Sequence, residues 1–219
     1  MARKSEPVLV IGCGRFGIAL ARELVRNGTE VLAMDASETT VQRLAGMIEN
    51  IVVADGTDLE ALEELGAADF HTAVVAVGNL EASTLATSNL AQLGVERIWA
   101  KALSKQHALI LERVGAHNVV QPEHDMGQRL AHLVSGEVLD YLRVADNWVI
   151  AKTKPPRFLV GVPLGESHLR KDHRITVIAV KPEGGQMFTH ADSQTHLAYG
   201  DEILVMGTTR DVTRFAELP

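Results

Sequence analysis

The sequence predicts an α/β protein: a doubly wound parallel sheet followed by a smaller α+β module. Three observations point there. Short apolar runs alternate with helical patterns through the first part of the chain. The first run, Val8-Leu9-Val10-Ile11, leads straight into Gly12-Cys13-Gly14-Arg15-Phe16-Gly17. From Trp148 onward the texture changes to short strand-like stretches separated by turn residues. Alternating strands and helices are the signature of a parallel sheet covered on both faces.

Taken in order, residues 9–11 read as a strand, and Phe16, Leu20, Leu24 and Val25 form the apolar stripe of the helix after it, closed by Asn27-Gly28. A second strand over 31–34 ends at Asp35, and a helix follows through Val41, Leu44 and Met47. Residues 51–54 form a third strand. Thr57 then reads as an N-cap, with Glu60 completing a capping box and Leu59, Leu62 and Leu65 on one face. The nearly all-apolar run 73–77 suits the middle of a sheet. A helix over about 81–93, a strand over 97–101, a helix over 105–114 stopped by Gly115, and a strand over 118–121 ended by Pro122 complete the first region.

A helical pattern over 125–142 follows, with Met126, Leu130, Leu133 and Leu142 apolar. Its Gly136 costs about 1 kcal/mol relative to Ala, so a bend or a close packing contact is expected there. Beyond it, Lys154-Pro155-Pro156 is a loop, 164–170 a short helix, 175–181 a strand, Glu183-Gly184-Gly185 a hairpin turn and 202–206 a strand; a final helix carries Val212 and Phe215. The expected organisation is a Rossmann-like domain over 1–124, a connecting helix over 125–142 and a C-terminal α+β domain over 143–219.

Composition narrows the function classes. In 219 residues, 46% are hydrophobic and 22% charged, as in ordinary globular proteins. A formal net charge of −7 argues against nucleic acid or an anionic lipid surface as partner. The lone Cys13 excludes an internal disulfide and fits a reducing compartment. With no run approaching the ~20 apolar residues that span a bilayer, a soluble, cytoplasmic protein without lipid insertion is expected.

The chemistry sits at the expected C-terminal ends of the strands: Gly12, Gly14, Arg15, Phe16 and Gly17 after the first, Asp35 after the second, Asp55, Gly56 and Thr57 after the third, Gly78 and Asn79 after the fourth, Lys101 after the fifth. A glycine turn between strand and helix lets backbone N–H groups face a phosphate, and a carboxylate at the spacing of Asp35 accepts from a ribose. An adenine nucleotide is the expected ligand. Asp55-Gly56 is also ordinary turn chemistry, with Asp55 a candidate adenine-side contact. Arg15 is unusual, because a helix N-terminus disfavours cations; a guanidinium there suits a highly charged phosphate chain. His117, Glu123, His124 and Asp125 match no zinc spacing and read as a solvated loop. Cys13 reads as a small residue filling the turn. No His/Asp or Lys/Tyr arrangement at a recognisable spacing supplies acid–base chemistry, so a switch is favoured over an enzyme. The rival is a small NAD(H)-binding oxidoreductase or redox sensor.

The glycine motif with Arg15, together with Asp35, Ala54-Asp55-Gly56-Thr57-Asp58, Ala82-Ser83-Thr84-Leu85, Ile98-Trp99-Ala100-Lys101-Ala102, Pro122-Glu123-His124-Asp125-Met126-Gly127 and the C-terminal Gly200-Asp201-Glu202-Ile203-Leu204-Val205-Met206-Gly207, resembles the regulator-of-potassium-conductance (RCK) proteins. The likeness covers nearly the whole chain and is nearest to the cytosolic gating subunits of Ktr-type potassium transporters. It implies homodimers assembled into a ring, typically an octamer, docked on a membrane potassium-translocating subunit, with ATP or ADP in the N-terminal crevice. By the same likeness Arg15 meets the terminal phosphates and Asp35 the ribose. Glu123 sits near the γ-phosphate through Mg2+ or another cation, and comes from a neighbouring subunit. Arg170 aligns with an arginine used for cyclic di-AMP, although Lys171-Asp172-His173-Arg174 departs from the expected surroundings.

Overall fold

Parallel pairing organises the first part of the chain. The computed structural model describes residues 6–134, 138–145 and 147–219, and it divides into two compact units, one ending at Glu123 and the other starting at His124. The first unit runs β1 (Val8–Ile11), α1 (Arg15–Arg26), β2 (Val31–Asp35), α2 (Glu38–Leu44), β3 (Asn50–Val53), α3 (Leu59–Glu64), β4 (Thr72–Val75), α4 (Leu80–Gln92), β5 (Arg97–Lys101), α5 (Lys105–Arg113) and β6 (Asn118–Val120). The strands form one parallel sheet in the order β3-β2-β1-β4-β5-β6. The order reverses between β1 and β4, which places the crevice of a doubly wound fold beyond the C-terminal ends of those strands.

β1 is apolar at every position because both of its faces are covered. Leu9 and Ile11 join Met34, Leu62, Leu90, Ile98 and Leu111 on one side of the sheet; Val8 and Val10 join Ala21, Ala33, Leu44 and Ile48 on the other. Burying each such Leu or Ile contributes about 1.5–3 kcal/mol.

After α6 (Pro122–Val134), the second unit carries β7 (Asp140–Ala145), β8 (Trp148–Thr153), α7 (Leu169–Asp172), β9 (Thr176–Lys181), β10 (Thr189–His190), β11 (Glu202–Thr208) and α8 (Thr209–Ala216). Its sheet is antiparallel, in the order β10-β9-β11-β8-β7. Val149, Ala151, Ile203 and Val205 alternate inward and pack with Val212 and Phe215 of α8.

Three local expectations are corrected. The helix expected over 125–142 runs from Pro122 to Val134, and Leu142 lies in β7 opposite Ile150. Strand pairing with β8 satisfies that backbone and overrides the helical spacing of the apolar residues. Gly136 lies outside the described residues. Thr57 does not cap α3: Asp58 does, accepting from the N–H groups of Glu60 and Ala61. The Thr57 hydroxyl donates instead to Asp55 at 2.9 Å. The short helix expected over 164–170 forms later, at Leu169–Asp172, and Gly165 is held against the Ser193 backbone.

Candidate functional site

The turn after β1 is shaped by what its glycines lack. Gly12 has φ +95°, and a Cβ there would lie 3.0–3.1 Å from Val77 and the Ala76 backbone. A Cβ on Gly17 would stand 1.9 Å from the Gly12 carbonyl oxygen, so this glycine sets how closely α1 approaches the turn. Gly14 differs from both: a Cβ there would meet nothing within 4 Å. Gly14 is also the N-cap of α1 and offers no side-chain acceptor to the first-turn N–H groups. The helix therefore begins without a side-chain cap on its first-turn N–H groups, and helix starts of this kind can receive an anion.

A cavity of about 290 Å³ opens on this turn. Of the residues expected in the site, Gly12, Gly14, Asp35, Asp55, Gly56, Thr57 and Gly78 line it; Arg15, Phe16, Gly17, Asn79, Lys101 and Glu123 do not. Its apolar wall comes from Ile11, Ala54, Ala76, Val77, Ala82 and Ala86. Of these, Ala54 after β3 and Ala82 at the first turn of α4 fall inside motifs that sequence reading singles out.

The carboxylates have partners of their own. Asp35 accepts from the Cys13 N–H at 2.7 Å through one oxygen and from the Ser37 N–H at 2.9 Å through the other. It ties the glycine turn to the end of β2 while each oxygen keeps a lone pair for a ligand. Asp55 accepts from both the N–H and the hydroxyl of Thr57, so that loop is self-bonded. Asn89 of α4 anchors it further by donating to the Thr57 carbonyl at 3.0 Å. Asn79 caps α4 by accepting from Ala82 N–H.

Beside the turn stands a charged group. The Lys101 Nζ donates to Glu123 Oε1 at 2.5 Å and lies 6.0 Å from the centre of the Phe16 ring. Glu123 is held below the usual carboxylate range, chiefly by this hydrogen bond, then by its own backbone N–H and the charges of Lys101 and Arg15. Among the described residues, no group of three or more His, Cys, Asp or Glu is placed to hold a metal ion.

His107 escapes sequence reasoning, whereas Cys13 fills the turn as expected. His107 is buried, and its Nδ1 accepts from the Leu103 N–H at 3.2 Å while Nε2 lies 2.9 Å from Ser83 Oγ. That assigns the proton to Nε2; Ser83 in turn donates to the Leu80 carbonyl. The chain joins the first turns of α4 and α5, and burial holds His107 below its ordinary 6.5. The only signal for it was a polar residue on the buried side of each helix. Cys13 is also buried, and burial, then the charge of Asp35, push its thiol up to about 11. It fills space and is not a reactive thiolate.

In the second unit, a cavity of about 410 Å³ is bordered by His168, Arg170, Lys171 and Asp192. The Arg170 Nε donates to Thr176 Oγ1 at 3.2 Å. His168 and Arg174, which flank α7, both adopt left-handed backbone, at φ 53° and 57°.

The TrkA-N domain matches residues 8–122 and the TrkA-C domain residues 149–219. The chain is 35% identical over 208 residues to Ktr system potassium uptake protein C of Bacillus subtilis (strain 168), covering 94% of each. It is 35% identical over 214 residues to Ktr system potassium uptake protein A of the same organism, covering 97% of this chain and 96% of the relative. The fold is shared with the GsuK RCK domain at TM-score 0.56 and 22% identity, over 98% of this chain and 46% of that one. The chain belongs to the family of Ktr system potassium uptake proteins, built from a TrkA-N domain followed by a TrkA-C domain.

Proposed function

We propose that this chain is a nucleotide-responsive regulatory subunit of a membrane potassium-uptake system, without catalytic activity of its own. The observation that carries the reading is the uncapped start of α1 at Gly14, opening on a cavity that Asp35 also lines. The names of the Ktr relatives supply the transport context. The residues present fit an adenine nucleotide: a glycine cradle with room for phosphate oxygens, a carboxylate at the second strand end for ribose, and an apolar wall for the base. Asp55, Gly56, Thr57 and Gly78 border the base and sugar side. Arg15, Phe16, Asn79 and Lys101 stand around the phosphate end, outside the cavity itself.

In this reading ATP and ADP favour different shapes of a ring built from homodimers, an octamer as in the family resemblance. The subunit acts at the cytoplasmic face by docking on the potassium-translocating protein; no described helix is long and apolar enough to cross a membrane. A ligand shifts such an equilibrium only through differential affinity, and the γ-phosphate is the group by which ATP and ADP differ. Glu123 of a neighbouring copy would hold Mg2+ or another cation there, with remaining donors from the nucleotide. Arg170, beside its own cavity, is the residue proposed for cyclic di-AMP.

The decisive experiment is a thermal-shift panel of ATP, ADP, NAD and NADH, with and without Mg2+. The expected order places ATP and ADP above NADH. A larger shift with NADH would favour the oxidoreductase or redox-sensor reading. Arg15→Ala is expected to weaken ATP more than ADP; equal losses would remove Arg15 from the terminal phosphate.

A further inference from the structure

The Lys101–Glu123 pair is asymmetric. The Lys101 side chain is 11% exposed and that of Glu123 62%. The ammonium is held at the end of β5 against Phe16, two residues after the cavity-lining Gly14. The carboxylate lies on the first turn of α6 and has solvent in front of it. The charge of Arg15 reaches the same carboxylate as a smaller influence, and the ion-pair partner of Glu123 is Lys101, beside the glycine turn. A buried ammonium without a counter-ion is strongly disfavoured, and Glu123 is the acid paired with Lys101 among the described residues.

We propose that Glu123 is an internal substitute for the ligand's terminal phosphate. It neutralises Lys101 while the crevice is empty, and it is exchanged for a phosphate oxygen when nucleotide binds. The inference rests on reading the crevice as a nucleotide site. The exchange suits the exposure of the two partners, because only the carboxylate can swing into water without losing solvation. Part of what a terminal phosphate gains at Lys101 is therefore spent displacing Glu123, and less is left to separate ATP from ADP.

The test is isothermal titration of the full-length protein with ATP, ADP and adenosine in EDTA, so that no cation bridges Glu123 to the ligand. Glu123→Gln is expected to tighten ATP about tenfold, equivalent to ~1.4 kcal/mol, and to leave adenosine unchanged. In a Lys101→Met background the same substitution is expected to change nothing. Unchanged or weaker ATP binding by Glu123→Gln overturns the exchange. So does a gain that persists in the Lys101→Met background, which would mean that Glu123 acts without Lys101. Should Lys101→Met not fold by far-UV circular dichroism, Lys101→Gln replaces it, and the ATP-against-adenosine comparison in Glu123→Gln alone still decides. A wild-type protein that binds none of the three ligands rejects the nucleotide reading itself; binding without the expected gain rejects only the exchange.

Discussion

The Asp35 carboxylate accepts from the Cys13 N–H at 2.7 Å, joining the end of β2 to the middle of the glycine turn across 22 residues of chain. A residue expected to meet ribose also holds the glycine turn in place. Asp35→Asn can keep one of its two backbone bonds but not both in the same geometry. Its expected cost is about 1 kcal/mol of stability, together with weaker ATP binding, read by urea unfolding and titration calorimetry. Lost affinity at unchanged stability would confine Asp35 to the ligand.

Gly14 and Gly17 are expected to separate binding from folding. Gly14→Ala meets open space, so the melting temperature should hold while phosphate access is blocked and ATP affinity falls. Gly17→Ala forces its methyl onto the Gly12 carbonyl, and overpacking of this kind costs about 1–3 kcal/mol or more. A thermal melt of both apo variants checks the contrast; similar melting points would contradict it.

The thiol of Cys13, buried and raised to about 11, is expected to react with a disulfide reagent only through transient opening of the turn. Saturating nucleotide should slow the reaction further. Fast modification of the native protein at neutral pH would reinstate a redox-sensor reading.

His107 gives the first unit a predictable response to acid. Its pKa is lowered in the folded protein, so below about 6.5 the unfolded chain binds the proton more readily. Its contribution is fully present above that value and is lost as pH falls through the folded pKa. Protonation would also set a ring N–H against the Leu103 N–H that Nδ1 now accepts. Urea midpoints should fall between about pH 7.5 and about pH 5.5, and His107→Asn should be less stable but flatter across that range. An equal slope in both proteins would assign the titration elsewhere.

Asp140 adds a second, more acidic response. Hydrogen bonds from Arg129 and the Tyr141 N–H hold it below the carboxylate range, so its contribution is present above about pH 4 and lost as pH falls through the folded value. Both partners are nearly half exposed, which keeps the expected effect of Asp140→Asn to about 0.2–1 kcal/mol. Urea unfolding on either side of that range reads it.

Apolar runs such as Val8–Ile11 made the parallel strands legible, because a strand buried on both faces has no polar alternation to obscure it. Gly12, Asp35 and Gly78 were legible because strand ends in such a sheet all open on one edge. The Lys101–Glu123 pair was not, since nothing in two residues 22 positions apart says that β5 and β6 will set them side by side. Leu142 was misread because helical spacing from Met126 happens to continue past the point where pairing with β8 takes over. At Thr57, two adjacent capping residues competed, and Asp55 decided by claiming the threonine hydroxyl.

With Gly14 giving no acceptor to the start of α1, a bound phosphate would do the work that a serine or aspartate does for other helices. The ligand then belongs to the folded state's own hydrogen-bond inventory. At a free concentration one hundred times its Kd, a ligand adds about 2.7 kcal/mol to stability, a large share of what a domain of this size has. Lifetime against proteolysis would therefore track the nucleotide pool, so that starving a cell of nucleotide would thin out the regulator as well as change its shape.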